Sequence, residues 1–151
     1  MAIIKLIDAT DPKLLIKSET VEDVTGVLTL QIINDLIDTL MDVGGVGLAA
    51  PQIGVNKQIF VYRLSPGATP KIIINPRVVV SSGKVISRNE GCLSVPGCRE
   101  DITRYKTFVI EYSDYITGEK KRIRPLVRLE TLILQHEYDH LMGVLINNRR
   151  K

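Results

Sequence analysis

The chain has 151 residues, 44% of them hydrophobic and 25% charged, with a formal net charge of +3. That length suits one domain, 1–151, with a substantial core, and the proportions exclude disordered, collagen-like and coiled-coil classes. The mild positive balance is spread along the chain apart from a terminal Arg149-Arg150-Lys151, which could touch RNA or an acidic surface but reads first as a solvated end, so no DNA partner is expected.

The opening MAIIKLIDATDPK lacks the long apolar core and small-residue cleavage site of a secretory signal, and no apolar run approaches the roughly 18 residues of a membrane span. No membrane partner is expected. Over 27–42 the apolar positions Leu30, Ile33, Ile37, Leu40 and Met41 recur at helical spacing, with Gly44 placed to cap the end of an N-terminal amphipathic helix. The period then shortens to β-rich segments at 58–63, 71–75, 77–80, 84–87 and 107–112, separated by Pro66-Gly67, Asn75-Pro76, Gly83 and Thr117-Gly118. Such short connections leave no room for crossover helices, so the strands pair mainly antiparallel. The cysteines, Cys92 and Cys98, are too few for a disulfide framework and point to a reducing, cytoplasmic compartment.

A second helix is expected over 125–142, with Pro125 in its first turn and Gly143 beyond its end. Its core-facing stripe, Leu126, Leu129 and Ile133, continues onto His136, Glu137 and His140. Burying such a polar trio without compensation would cost several kcal/mol, and a cation would satisfy it. The expected fold is therefore α+β: antiparallel β-sheets packed around a C-terminal metal-binding helix, with the amphipathic helix at the N-terminal side.

The trio belongs to HExxH, which sets two imidazoles on one helical face and a carboxylate beside a metal-bound water. The alternative is an ordinary histidine pair. A catalytic site of this type wants a third protein ligand, and the 11 residues after His140 contain no His, Cys, Asp or Glu. The ligand must lie upstream: a carboxylate, Cys98 after its Pro96-Gly97 turn, or the favoured Cys92, flanked by Gly91 and following a strand. Both thiols could equally be small buried hydrophobes. The Gly-rich segment at 44–54 is no phosphate loop, because it follows a helix and lacks the Lys-Ser/Thr ending. Its small residues permit close backbone approach beside the amide of Gln52.

Together, GVGLAAPQ at 45–52, EGCLS at 90–94 and QHEYDH at 135–140 resemble the three signature motifs of peptide deformylases, in the family's order and over most of the chain. Arg99, Arg104 and the Leu141-x-Gly143 continuation support the resemblance. It implies an enzyme that removes the N-formyl group from the initiator methionine of nascent chains. Under it, Cys92, His136 and His140 bind one divalent metal ion, Fe(II) in the cell and replaceable by Zn, Ni or Co. Glu137 serves as general base and acid, and Gln52 with the backbone N–H of Leu93 stabilises the oxyanion. The partners implied are N-formylmethionyl peptides and the ribosome exit region, although the sequence runs only 11 residues past His140, without the helical extension through which many bacterial relatives dock.

The residues fit those roles. A pocket bounded by Gly45, Gly47 and Gln52 would admit a formyl group and reject acetyl; Val46, Leu129 and Ile133 would hold the methionine side chain, with Gly91 as a further substrate contact. The extended glycine-rich segment could take the peptide as an added strand. Glu90 would orient a metal ligand or pair with Arg104, an exposed carboxylate being the alternative, and Asp139 would pair with a nearby base. The stretch 125–130 departs from the small-residue-rich approach of the family. Two other readings share the HExxH motif: a metallopeptidase cleaving internal bonds, and a non-catalytic fold with a structural metal.

Overall fold

The computed structural model describes residues 2–148, so the Arg149-Arg150-Lys151 end lies outside the described residues. Seven strands and two α-helices follow the chain in the order α1 (Val27–Val43), β1 (Gly47–Ala49), β2 (Ile59–Tyr62), β3 (Lys71–Ser82), β4 (Val85–Cys92), β5 (Val95–Arg104), β6 (Thr107–Ser113), β7 (Lys120–Ile123) and α2 (Arg128–Leu141). They make a five-stranded antiparallel sheet, β1-β2-β3-β6-β7, and a separate β4-β5 hairpin. The architecture is α+β with the last helix against antiparallel sheet.

The period of two along a strand decides what each helix packs on. In β2, Ile59 and Val61 join Leu48, Ile74 and the α1 residues Ile33, Leu36 and Leu40 in one core. The intervening Phe60 and Tyr62 join Ile73, Ile110 and the α2 residues Ile133, Leu134 and Leu141 in another. The sheet is thus covered by α1 on one face and α2 on the other. Gly44, at φ 74°, ends α1 by donating its N–H to Leu40 O.

Several expected elements are redrawn. Asn75-Pro76 reads as a turn in the sequence, yet β3 runs through it with a register shift, Asn75 taking φ 51°. Asn75 Oδ1 accepts from Val21 N at 2.8 Å while its Nδ2 donates to Val21 O at 2.8 Å. A bulge asks nothing of the missing proline N–H, so the strand continues. Strands β5 and β7 went unforeseen: Val95-Pro96-Gly97 reads as a turn, and Lys120–Ile123 carries mostly charge on the sheet's edge. Helix α2 begins at Arg128, so Pro125 precedes it, and Leu126 is not in the core stripe but 93% exposed. On α1, Leu30 and Met41 face outward while Thr29, Leu36 and Thr39 are buried, which rotates the buried face from the expected stripe. Among the described residues no helix is long and apolar enough to cross a membrane.

Candidate active site

Helix α2 carries His136, Glu137 and His140 towards the sheet and the β4-β5 hairpin. One helical turn separates the imidazoles, whose ring centroids lie 5.1 Å apart with planes tilted 70°. Cys92 is the last residue of β4, at a tight turn whose register pairs it with Val95. Its Sγ stands 3.3 Å from His140 Nε2, and the ligand atoms of Cys92, His136 and His140 all lie within 4.8 Å of one another. Cys98, on β5, is not in this group.

A chain of charges fixes the geometry. Arg104, fully buried at the end of β5, donates through Nε to Glu90 Oε2 at 2.9 Å, through Nη2 to Glu90 Oε1, and through Nη1 to Asp139 Oδ2 at 2.9 Å. Glu90 Oε1 also faces His136 Nδ1 at 2.7 Å. A carboxylate there fixes the proton on Nδ1 and leaves Nε2 with its lone pair for a ligand. Burial would raise the Glu90 pKa, but hydrogen bonds from Arg104 and His136 outweigh it and hold the carboxyl well below the usual range. The sequence left Glu90 to pair with Arg104, to orient a candidate ligand or to stand exposed; the structure sets it against both Arg104 and His136.

Glu137 is buried and its Oε1 has no hydrogen-bond partner among the described residues, as is true of His140 Nδ1. Burial pushes the Glu137 carboxyl up to about 7, against the opposing pull of His136, and burial drives His140 well below its ordinary value. Glu137 lies against β1, where a Cβ on Gly47 would approach its Cδ to 2.8 Å. Any larger residue there would have to push the Glu137 carboxylate aside. Gln52, 1% exposed, accepts from Ala49 N at 2.9 Å and donates through Nε2 to Ser94 Oγ at 3.0 Å, with Cys92 Sγ 3.8 Å away. The N-terminal segment secures the same region, Ile7 N donating to Gln52 O and Ala9 N to Ser94 O.

A cavity of about 820 Å³ opens over this cluster. Every expected catalytic, metal-ligating and substrate-contact residue lines it except His140, which sits beneath, against Cys92; Arg104 and Asp139 lie outside the lining. Gly45, Val46 and Gly47 form one wall, Gly91, Cys92 and Leu93 another, and Leu129 and Ile133 a third. Leu129 is half exposed at the mouth while Ile133 is buried below it. Leu132 lines the cavity too, and its place four residues before His136 was the signal for it. Ser94, Arg63 and Arg128 were also missed. Arg63 is buried and donates through Nε to Gly45 O at 2.9 Å, while its backbone N–H donates to Val46 O at 2.8 Å, holding that wall in place.

The donor set of one thiol and two imidazoles suits a divalent transition metal, and the unpartnered Glu137 oxygen stands beside it, so the residues present fit such an ion. A family model for polypeptide deformylase matches residues 3–151. The chain belongs to the polypeptide deformylase family. It is 43% identical to peptide deformylase 1 of Vibrio vulnificus over 147 residues, covering 96% of this chain and 84% of that one. The peptide deformylase of Thermotoga maritima superposes with a TM-score of 0.88 at 30% identity, covering 100% of this chain and 99% of the other. That of Ehrlichia chaffeensis in complex with actinonin gives 0.88 at 34% identity, covering 100% and 90%. The deformylase is thus a hydrolase of protein biosynthesis, from a metal-dependent family that acts on N-formylated peptides.

Proposed function

We propose that residues 1–151 form one catalytic domain that removes the N-formyl group from the initiator methionine of nascent polypeptides and releases formate. The reading is carried by one observation: Cys92, His136 and His140 converge beside a buried carboxylate, Glu137, whose Oε1 has no partner among the described residues. The three converging side chains would hold one divalent ion, Fe(II) in the cytoplasm, with Zn, Ni or Co able to replace it. When bound, the ion supplies the positive charge that makes water acidic enough to attack at neutral pH.

This chain's own residues do the rest. Glu137 takes the proton of the attacking water and hands it to the amine nitrogen as the C–N bond breaks, a role suited to a carboxyl pushed up to about 7 by burial. Gln52 is held by Ala49 N and Ser94 Oγ, so its amide is oriented before the reaction begins. It and the backbone N–H of Leu93 donate to the oxygen of the tetrahedral intermediate, each such donor being worth about 2.7–4 kcal/mol. The pocket bounded by Gly45, Gly47 and Gln52 admits a formyl group and rejects an acetyl methyl, and Val46, Leu129 and Ile133 take the methionine side chain. Strand β1 pairs on one side only, with β2, and its other edge can accept the peptide backbone as an added strand, with Gly91 across the cavity.

The test is formate release from formyl-Met-Ala-Ser by the metal-loaded protein, beside an internally cleaved peptide. Release from the first alone, lost on chelation and restored by Fe(II), Ni or Co, is expected. Cleavage of the internal bond, or metal binding with no formate, would overturn the reading.

A further inference from the structure

We propose that Arg63 is a positioning residue for the peptide substrate: by holding the Gly45 carbonyl on the α1 side of the sheet, it turns the Val46 N–H into the cavity as a donor for a backbone carbonyl of the formyl peptide. The proposal rests on the deformylase reading above and names the group that fixes the peptide main chain beside β1. Arg63 directly follows β2, and side chains alternate faces along a strand. Val61 joins the α1 core and Tyr62 the α2 core. Arg63 therefore turns back to the α1 side, where its Nη1 stands 2.9 Å from Met41 Sδ.

The partners of this arginine are main-chain groups. It is 3% exposed, and its guanidinium donates through Nε to Gly45 O at 2.9 Å and through Nη1 to Pro66 O at 2.6 Å. Reaching both carbonyls at once takes the fixed fork of a guanidinium, which the compact ammonium of a lysine does not offer. Taking a cation out of water for neutral partners is costly. What the chain gains in return is a fixed backbone at the junction of α1 and β1.

The held carbonyl fixes the amide joined to it. Gly45 C=O and Val46 N–H belong to one planar trans peptide unit and point in opposite directions. With the carbonyl drawn towards Arg63, the N–H faces away from it. Gly45 and Val46 line the cavity and Arg63 does not, so away from Arg63 is towards the cavity. Val46 O is taken by Arg63 N at 2.8 Å, whereas Val46 N donates to nothing among the described residues. A peptide lying along β1 meets that unspent donor with a carbonyl, as an added strand does. Without Arg63 the Gly45-Val46 unit is free to turn over, since Gly45 tolerates most backbone conformations, and the substrate carbonyl would then face another carbonyl.

The experiment measures formate release from formyl-Met-Ala-Ser by the metal-loaded full chain and its variants. Arg63→Met keeps the apolar stem and removes the donors, so KM should rise about 3- to 10-fold, the worth of one hydrogen bond, with kcat and metal content within about twofold of the parent. Arg63→Lys, which keeps the charge and one donor group, should show a smaller rise in KM. Arg77→Met, exposed on β3 and outside the cavity lining, should leave both constants unchanged. A further measurement needs no variant: amide hydrogen exchange at Val46, read by NMR on the Zn-loaded parent chain, should slow on saturation with the product peptide Met-Ala-Ser. KM unchanged in both Arg63 variants, a loss confined to kcat, or Val46 exchange indifferent to the peptide would overturn the positioning while leaving the deformylase reading intact. No formate from the parent chain would overturn that reading and the positioning with it.

Discussion

Helices α1 and α2 cover opposite faces of one sheet and bury opposite kinds of side chain. Helix α1 inserts Ile33, Leu36 and Leu40, with Thr29 and Thr39 as its buried polar residues. Helix α2 buries Glu130, Gln135, Glu137 and His140 beside Ile133, Leu134 and Leu141. Within α2 the polar residues divide again. Glu130 accepts from Tyr62 Oη at 2.9 Å and from Lys71 Nζ at 2.8 Å, and Gln135 binds both the N–H and the carbonyl of Tyr105. Glu137 Oε1 and His140 Nδ1 find nothing among the described residues. On α2 the buried polar groups that hold the fold are satisfied by it, and the unpartnered ones gather beside Cys92; Ser18 Oγ, outside the cavity lining, is unpartnered as well, so the contrast belongs to this helix.

The sharpest way to break this comparison is one substitution on each face. Glu137→Gln keeps the shape of the side chain and removes a buried carboxyl, so thermal stability should hold or rise slightly while formate release falls about 10²- to 10⁴-fold with metal content unchanged. Leu36→Ala on α1 should do the reverse, costing about 2–5 kcal/mol in denaturant unfolding with kcat/KM per folded molecule unchanged. Equal loss of stability from both would erase the distinction between the faces.

Gly47→Ala comes next. The added methyl would meet the Glu137 carboxylate from the β1 side, and an ångström of displacement at a reacting group can cost about 10²-fold in rate. Steady-state kinetics should show that loss mainly in kcat. Unchanged kcat would mean that Glu137 does not hold the proton being moved.

How much of this was legible follows from which residues carry their own context. The HExxH spacing places three side chains on one helical face whatever surrounds them, so the shared face of His136, Glu137 and His140 was legible from periodicity, whereas Cys92 was only favoured over Cys98 and a carboxylate because a strand and Gly91 precede it. The phase of α1 was less legible because Thr29 and Thr39 are buried where Leu30 and Met41 are exposed, an arrangement set by the sheet beneath. Strand β5 was hidden by Pro96 and Gly97, which a two-stranded hairpin tolerates at its edge. The roles of Arg63 and Ser94 depend on partners far away in the chain, Gly45 and Gln52, and no local pattern announces such pairs.

Arg104 tests whether the charge chain belongs to the scaffold or to the site. Arg104→Met strands Glu90 and Asp139 in a buried place without their cation, at about 3–5 kcal/mol of stability. It also loosens the carboxylate that orients His136, so metal affinity should fall about 10- to 100-fold by competition with a chelator. Loss of stability with affinity intact would assign the chain to the scaffold alone.

The smallest effect is expected in the β6-β7 turn, on neither helix face. There Asp114 accepts from Lys121 Nζ at 2.8 Å and from the N–H groups of Ile116 and Thr117 at 2.8 and 3.0 Å. The Lys121 hydrogen bond and these backbone donors lower its carboxyl from 3.8 to about 2. A depressed carboxyl stabilises the fold above its unfolded value and loses that contribution as pH falls from about 4 to about 2. Asp114→Asn should therefore flatten the acid limb of the stability curve over that window, while kcat/KM at neutral pH stays as in the parent chain. A change in kcat/KM would mean that this turn is coupled to the cavity through β6, and the division between a satisfied scaffold and an unsatisfied site would have to be redrawn along the sheet.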